Sequence, residues 1–224
     1  MFRVRLLLCC VSILVSLGGC SSQRSGGPAA AVPADSGRAA ALQPRAGGLD
    51  QVNAVSPLDL SGATVYVAPL EIDYRSSASQ GKQPLGFSNR TLDADARARL
   101  QETMAQAFAE RFLSARGGRL VSDARAADYT LHLRLEKFYL PAPLEQTTHL
   151  REVFSESSAY GTLSGTLSDA RGSVVLQFRD RREFGEDFPS LGPGRLQRFS
   201  PPSFWADMRM DLRRAFGSLH KSVH

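Results

Sequence analysis

Thr64 to Ile72 (TVYVAPLEI) is an apolar stretch rich in β-branched and aromatic residues, which predicts a strand with side chains directed to alternate sides. Val65, Val67 and Pro69 fall on one side, Tyr66, Ala68 and Leu70 on the other. Pro69 has no N–H to give to a ladder, so it marks the strand's end or an edge. Asp73 to Arg90 is polar, with Gly81, Pro84 and Gly86, and reads as a long loop.

Beyond it the period lengthens. Leu92, Ala96, Leu100, Met104, Ala107, Phe108 and Phe112 recur every three or four residues, with Arg97, Arg99, Glu102, Gln106 and Glu110 between them. That spacing predicts an amphipathic helix capped by Thr91, with Asp93 and Asp95 favoured in its first turn and Gly117-Gly118 as its stop. Arg119 to Val121 is a candidate short strand, and Asp128 to Tyr139 a clear one. In the latter Tyr129, Leu131, Leu133 and Leu135 share one face, and Thr130, His132, Arg134 and Glu136 the other. Pro141 and Pro143 end it.

Thr162 to Ser168, a turn at Asp169-Ala170-Arg171-Gly172, and Ser173 to Phe184 predict a hairpin. Its buried face takes Leu163 and Leu167 with Val174, Leu176 and Phe178. Gly161 and Gly165 lie on the Leu163 side, where a missing side chain would let a helix approach. After a Pro- and Gly-rich loop, Ser200 caps a second helix with Pro201 in its first position. Phe204, Trp205, Met208, Leu212, Ala215, Phe216 and Leu219 form its apolar stripe, opposite Asp207, Arg209, Asp211, Arg213 and Arg214. The order strand, helix, three strands, helix predicts an α+β two-layer sandwich: a mostly antiparallel sheet of about four to five strands with both amphipathic helices on one face.

The N-terminus follows different rules. Arg3 and Arg5 precede an apolar run from Leu6 to Leu17, and Gly18 and Gly19 precede Cys20. A helix of that run spans ~18 Å against a hydrocarbon core of ~30 Å, so it reads as a removed signal and not a membrane span. The ending Leu17-Gly18-Gly19-Cys20 resembles the lipobox of bacterial lipoproteins. The resemblance implies that residues 1–19 are a signal peptide and that Cys20 becomes a lipidated N-terminus. Two or three acyl chains give stable anchoring. Ser21 stands where an Asp would signal inner-membrane retention, so the periplasmic face of the outer membrane is the expected address.

Residues 20–60 then form the lipidated cysteine and a tether of Ser, Gly, Ala, Pro and Gln, with Leu58 and Leu60 as the lead-in to a periplasmic domain over 61–224. Such a tether has a typical reach of roughly 35 Å.

Composition narrows the chemistry. The chain carries 27 basic and 22 acidic residues, and losing Arg3 and Arg5 leaves a mature charge of +3, too weak an excess to argue for nucleic acid. Of the 3 cysteines, Cys9 and Cys10 leave with the signal and Cys20 carries lipid, so disulfides, thiolate metal sites and cysteine nucleophiles are excluded. His132, His149, His220 and His224 have no metal-ligand spacing, and no metal or cofactor is expected. No Gly-x-Ser-x-Gly elbow follows a strand, and Leu163-Ser164-Gly165 lies inside a hairpin. Glu186 and Asp187 are adjacent loop acids that point apart, and Asp180 reads as an ion-pair partner of a neighbouring Arg.

One basic enrichment remains: Arg179, Arg181 and Arg182 on the last strand, and Arg195 and Arg198 after it. Guanidinium groups suit phosphate and carboxylate, so these are candidates for anion or partner binding. A solvated edge that deters strand aggregation is the competing reading.

The lipobox, the VYVAPLEI strand, the Ala- and Arg-rich helix, the GTLSGTLSDARGSVVLQFRDRR hairpin and the FWADMRMDLRRAF helix together resemble a bacterial lipoprotein family classed as a domain of unknown function (DUF 3313-like). That family has no established catalytic or ligand residues to carry over. The expected function is a lipid-anchored, non-catalytic accessory module that binds an envelope protein. An envelope hydrolase and a self-associating structural lipoprotein are the alternatives.

Overall fold

The computed structural model describes residues 41–75, 91–144, 152–185 and 196–223. In chain order its elements are β1 (Gln43–Pro44), β2 (Gln51–Ala54), β3 (Thr64–Val67), β4 (Glu71–Tyr74), α1 (Ala94–Phe108), β5 (Arg119–Val121), β6 (Tyr129–Tyr139), β7 (Phe154–Ser155), β8 (Ala159–Asp169), β9 (Val174–Phe184), β10 (Gln197–Arg198) and α2 (Pro201–Ser222). The class is α+β, as the sequence predicts.

The sheet is larger than expected and mixed. Eight strands run in the order β1-β2-β9-β8-β6-β3-β5, with β4 also paired to β6. The long hairpin β8–β9 and its neighbours β6 and β2 are antiparallel, but β3 runs parallel to both β5 and β6, and β4 runs parallel to β6. The reason is α1: a helix inserted between two strands carries the chain back to its starting end, so the next strand enters in the same direction. Separately, β7 and β10 form a two-stranded ribbon.

Part of the segment expected to be tether belongs to the sheet. Gln51–Ala54 pairs with β9 from Gln51 opposite Arg179 to Ala54 opposite Leu176. Leu49, Val52, Val55, Leu58 and Leu60 are buried in the core. Asp50 fixes this edge, since its N–H donates to Asp180 Oδ1 at 3.2 Å and its carboxylate accepts the Arg181 N–H at 2.9 Å.

Both helices bury their predicted stripes. Phe108 packs edge-on against Phe216 with ring centroids 5.4 Å apart, and Phe216 meets Phe178 of β9 in the same manner at 6.0 Å. The first helix starts later than expected: Asp93, not Thr91, is the cap, accepting the Ala96 N–H at 2.6 Å. Past Phe108 it widens into one π turn over Ala109–Leu113, which brings both Phe112 and Leu113 to full burial, before Gly117 closes it at φ 73°. Ser200 caps α2 and Pro201 opens it, as predicted, with Ser200 and Ser203 bonding reciprocally.

Arg116 ties these parts together. Its guanidinium lies 5.0 Å from the Phe112 ring and donates to the carbonyls of Leu58 at 3.3 Å and His220 at 3.2 Å. Burial holds its pKa below the ordinary guanidinium value. The bond to His220 places a cation at the C-terminal end of α2, where the helix dipole favours one.

Two details depart from plain alternation. Gly165 does not admit a helix; a Cβ there would lie 2.2 Å from the Phe178 ring, so its emptiness makes room for the residue opposite it on β9. In β6 the inward residues Leu131, Leu133 and Leu135 are followed by inward Phe138, because Lys137, at φ 52°, is an extra residue in the ladder.

Candidate functional site

One side of the sheet is covered by the helices; on the other the polar residues of the central strands are exposed or half-buried, apart from Thr162, which is buried. Register sets the open side out in rows across four strands. Arg134, Ser164, Arg179 and Gln51 form one row, and His132, Thr166, Gln177 and Asn53 the next. Glu136, Thr162 and Arg181 form a third. His132, Arg134, Arg179 and Arg181 are exposed, and Ser164, Thr166 and Gln177 half-buried. A shallow depression of about 250 Å³ lies among Gln51, Asn53, Glu136, Ser164, Thr166, Gln177 and Arg179.

Its fixed point is the Arg179–Glu136 pair. Two guanidinium nitrogens reach the two carboxylate oxygens at 3.0 and 2.7 Å, and Ser164 Oγ donates to the same carboxylate at 3.3 Å. Burial pushes the Glu136 carboxyl up, but Arg179, Ser164 and Arg134 together outweigh it, and the pKa sits below the ordinary value. A bidentate pair that reaches across β8, from β9 to β6, holds both side chains in one geometry. Around it stand amides and hydroxyls, which donate and accept without carrying charge. The arrangement is suited to hydrogen bonding a polar surface.

The five arginines singled out from sequence are not one cluster. Arg179 and Arg181 point to the open side. Arg182 points to the helix side, where it pairs with Asp180, as the sequence reading of that acid anticipated. Arg198 lies in the β7–β10 ribbon and meets Glu152 at 3.1 Å. Arg195 lies outside the described residues, as do Cys20, His149, His224, Glu186, Asp187 and residues 76–90 of the long loop. The alternation of β9 separates Arg181 from Arg182, because successive strand residues face opposite ways.

A second polar cluster corrects the reading of α2. Asp207 and Asp211, expected on its wet side, are 2% and 3% exposed. Ser158 Oγ donates to Asp207 Oδ2, and the Gly185 N–H donates to Asp211 Oδ2 at 2.7 Å. Arg214 lies 3.4 Å from Asp211. Ser158 also donates its N–H to the Phe184 carbonyl at 2.7 Å, so the acids pin α2 to the start of β8 and the end of β9. Their i, i+4 spacing, one turn beyond Phe204 and Met208, was the available signal that they flank the buried stripe.

A hydroxyl on a buried carboxylate invites a hydrolytic reading, which the surroundings do not support. Space beside Ser158 and Gly185 amounts to about 10 Å³, no more than one water. His132 projects from the far side of the sheet, and His220 lies thirteen residues along α2 from Asp207, roughly 20 Å away. Among the described residues no group of three or more His, Cys, Asp or Glu side chains is placed to hold a metal ion.

Burial raises the Asp207 carboxyl above its ordinary 3.8; Ser158 acts against this, and Asp211 adds to it. A folded-state pKa above the unfolded one favours folding of the protonated form, so this contribution is full below pH 3.8 and is lost as pH rises through the folded-state value. Asp207→Asn, which carries no charge at any pH, is therefore expected to gain stability relative to the native chain as pH rises above 3.8, and to hold that gain above the folded-state pKa. Thermal midpoints of the two forms from acid to neutral pH check this; a difference independent of pH would remove the desolvation account.

No family model matches the sequence, and no curated protein does. Among solved structures the chain is similar to a PelC dodecamer from Paraburkholderia phytofirmans, at 14% identity and a TM-score of 0.38, covering 75% of this chain and 96% of that one. It is also similar to a Xanthomonas campestris protein of the DUF330 family, at 12% identity and a TM-score of 0.37, covering 74% and 85%. A DUF4136 protein from Bacteroides thetaiotaomicron gives 12% identity and a TM-score of 0.33, covering 75% and 95%. All three are too distant for a role to be transferred from them to this chain.

Proposed function

We propose that this chain is a lipid-anchored, non-catalytic lipoprotein of the bacterial envelope, held through Cys20 at the periplasmic face of the outer membrane. It acts as an accessory module that binds a protein partner on the open side of its sheet. The observation that carries this reading is the division of the sheet. One side is spent on the core, while the other offers rows of hydroxyl, amide and guanidinium groups fixed by register and by the Arg179–Glu136 pair. A polar, hydrogen-bonding surface of this kind matches the composition of non-obligate interfaces, which are little more apolar than the rest of a protein's surface. The buried acids support the non-catalytic part of the reading, since their partners are structural.

A photo-crosslinking residue placed at Thr166 in cells is expected to give an adduct of one defined mass with an envelope protein. The same residue at Arg97, exposed on α1, is expected to give none. Recovery of the monomer alone from position 166, or the same adduct from both positions, would overturn the assignment of the surface.

A further inference from the structure

α2 sorts its charges by depth. Its two acids are buried, while Arg209, Arg214 and Lys221 are exposed and Arg213 is half-buried, so its outward side is cationic. Arg111, from the π turn that follows α1, faces Arg213, Arg214 and Lys221 across a groove of about 460 Å³ floored at Gly217 and Ser218. Glu110 engages Arg213 at 2.7 Å and Asp211 lies 3.4 Å from Arg214. Among the described residues, no carboxylate lies within ion-pair reach of Arg111 or Lys221.

Gly217 is the second observation. A glycine inside a helix is destabilising relative to alanine. Yet a Cβ built at Gly217 would meet nothing within 4 Å, so no packing among the described residues requires it. Its effect is to leave the groove floor open to an outside group. The third observation is the turn between β1 and β2. Gly48 lies so close to Ser218 that a Cβ on it would be 3.1 Å from Ser218 Oγ, and Gly47 lies against Ser222, so the N-terminal part of the described chain passes beside the groove.

We propose that this groove seats headgroup phosphates of an anionic bilayer, so that the domain rests on the membrane with α2 downward and the open side of the sheet turned away from it. Guanidinium and ammonium groups are the side chains that phosphate oxygens bind best, and a cationic surface next to an anionic leaflet is drawn to it. The proposal extends the anchoring reading above and rests on it for the choice of a membrane.

The test uses the full-length gene product purified as its host processes it, with a fluorescent amino acid at position 206, exposed on the α2 stripe that runs through Met210 and Arg213 to Gly217, or, on the opposite side, at 132. Vesicles containing phosphatidylglycerol carry a quencher on their headgroups. Quenching at 206 is expected to exceed that at 132 by roughly threefold or more, an excess that Arg111→Glu with Lys221→Glu abolishes and Arg111→Lys with Lys221→Arg keeps. Equal quenching at the two positions overturns the proposal, as does an excess that survives the charge reversal or persists in vesicles of phosphatidylcholine alone. The intact mass shows separately whether Cys20 is acylated: an unmodified cysteine removes the anchoring reading, while the quenching ratio still decides the groove.

Discussion

Phe216→Ala is expected to remove ~3–5 kcal/mol of folding stability, the range for deleting a buried aromatic ring whose surroundings relax only in part. Phe216 is 0% exposed and is the common neighbour of Phe108 and Phe178. It therefore joins both helices to the sheet through ring contacts that an alanine cannot reach. Domains of this size have ~5–15 kcal/mol in total, so the variant should retain its fold in dilute buffer but unfold at a much lower urea concentration. Phe216→Leu keeps most of the volume and should lose less than half as much. Equilibrium urea unfolding by circular dichroism measures both; a shift below about 1 kcal/mol for alanine would mean that the aromatic contacts are not the hinge of the core.

The second large effect is expected at a backbone position. Gly185 has φ 87°, and a Cβ on it would lie 2.5 Å from Asp207 Oδ2 and 2.8 Å from Asp207 Cγ. Its N–H is also the donor that satisfies Asp211. Gly185→Ala then combines ~1–2 kcal/mol for a left-handed conformation at a non-glycine residue with ~1–3 kcal/mol for a buried carboxylate pushed off its partner. A total near 3 kcal/mol should appear in the same unfolding experiment. The two parts separate in a double-mutant cycle with Asp207→Ala, which removes the clash and leaves only the backbone cost. If the two substitutions were simply additive, the carboxylate would not be what fills the space above Gly185.

Much of this fold could be read from periodicity, and the failures have a common cause. The stripe of α2 and its Ser200-Pro201 start were legible because a cap, a proline and an apolar repeat all act locally. The faces of β6 and of the hairpin were legible for the same reason, since side-chain direction alternates whatever the partner strand is. What could not be read was anything decided by a distant neighbour. Gln51–Ala54 alternates polar and apolar, yet it is short and sits in a Gly- and Pro-rich setting; only pairing with β9 makes it a strand. Asp207 and Asp211 look like solvent-facing residues because carboxylates usually are. They are buried because Ser158 and Gly185 bring donors to them from sequence positions 49 and 26 residues away. The candidate site shows the same division: Arg179 was singled out for its charge, but its pairing with Glu136 depends on the order of strands.

Lys137 shows how far one such neighbour effect can travel. Beyond this surplus residue, Phe138 stands opposite Tyr74 of β4, and the Tyr74 hydroxyl accepts the N–H of Leu92, just before α1 begins. The start of the helix is thus hung from the sheet through a single miscount in the ladder. An insertion or deletion at that point would be felt less where it is made than at the opposite end of the connection, as a change in where the helix is launched.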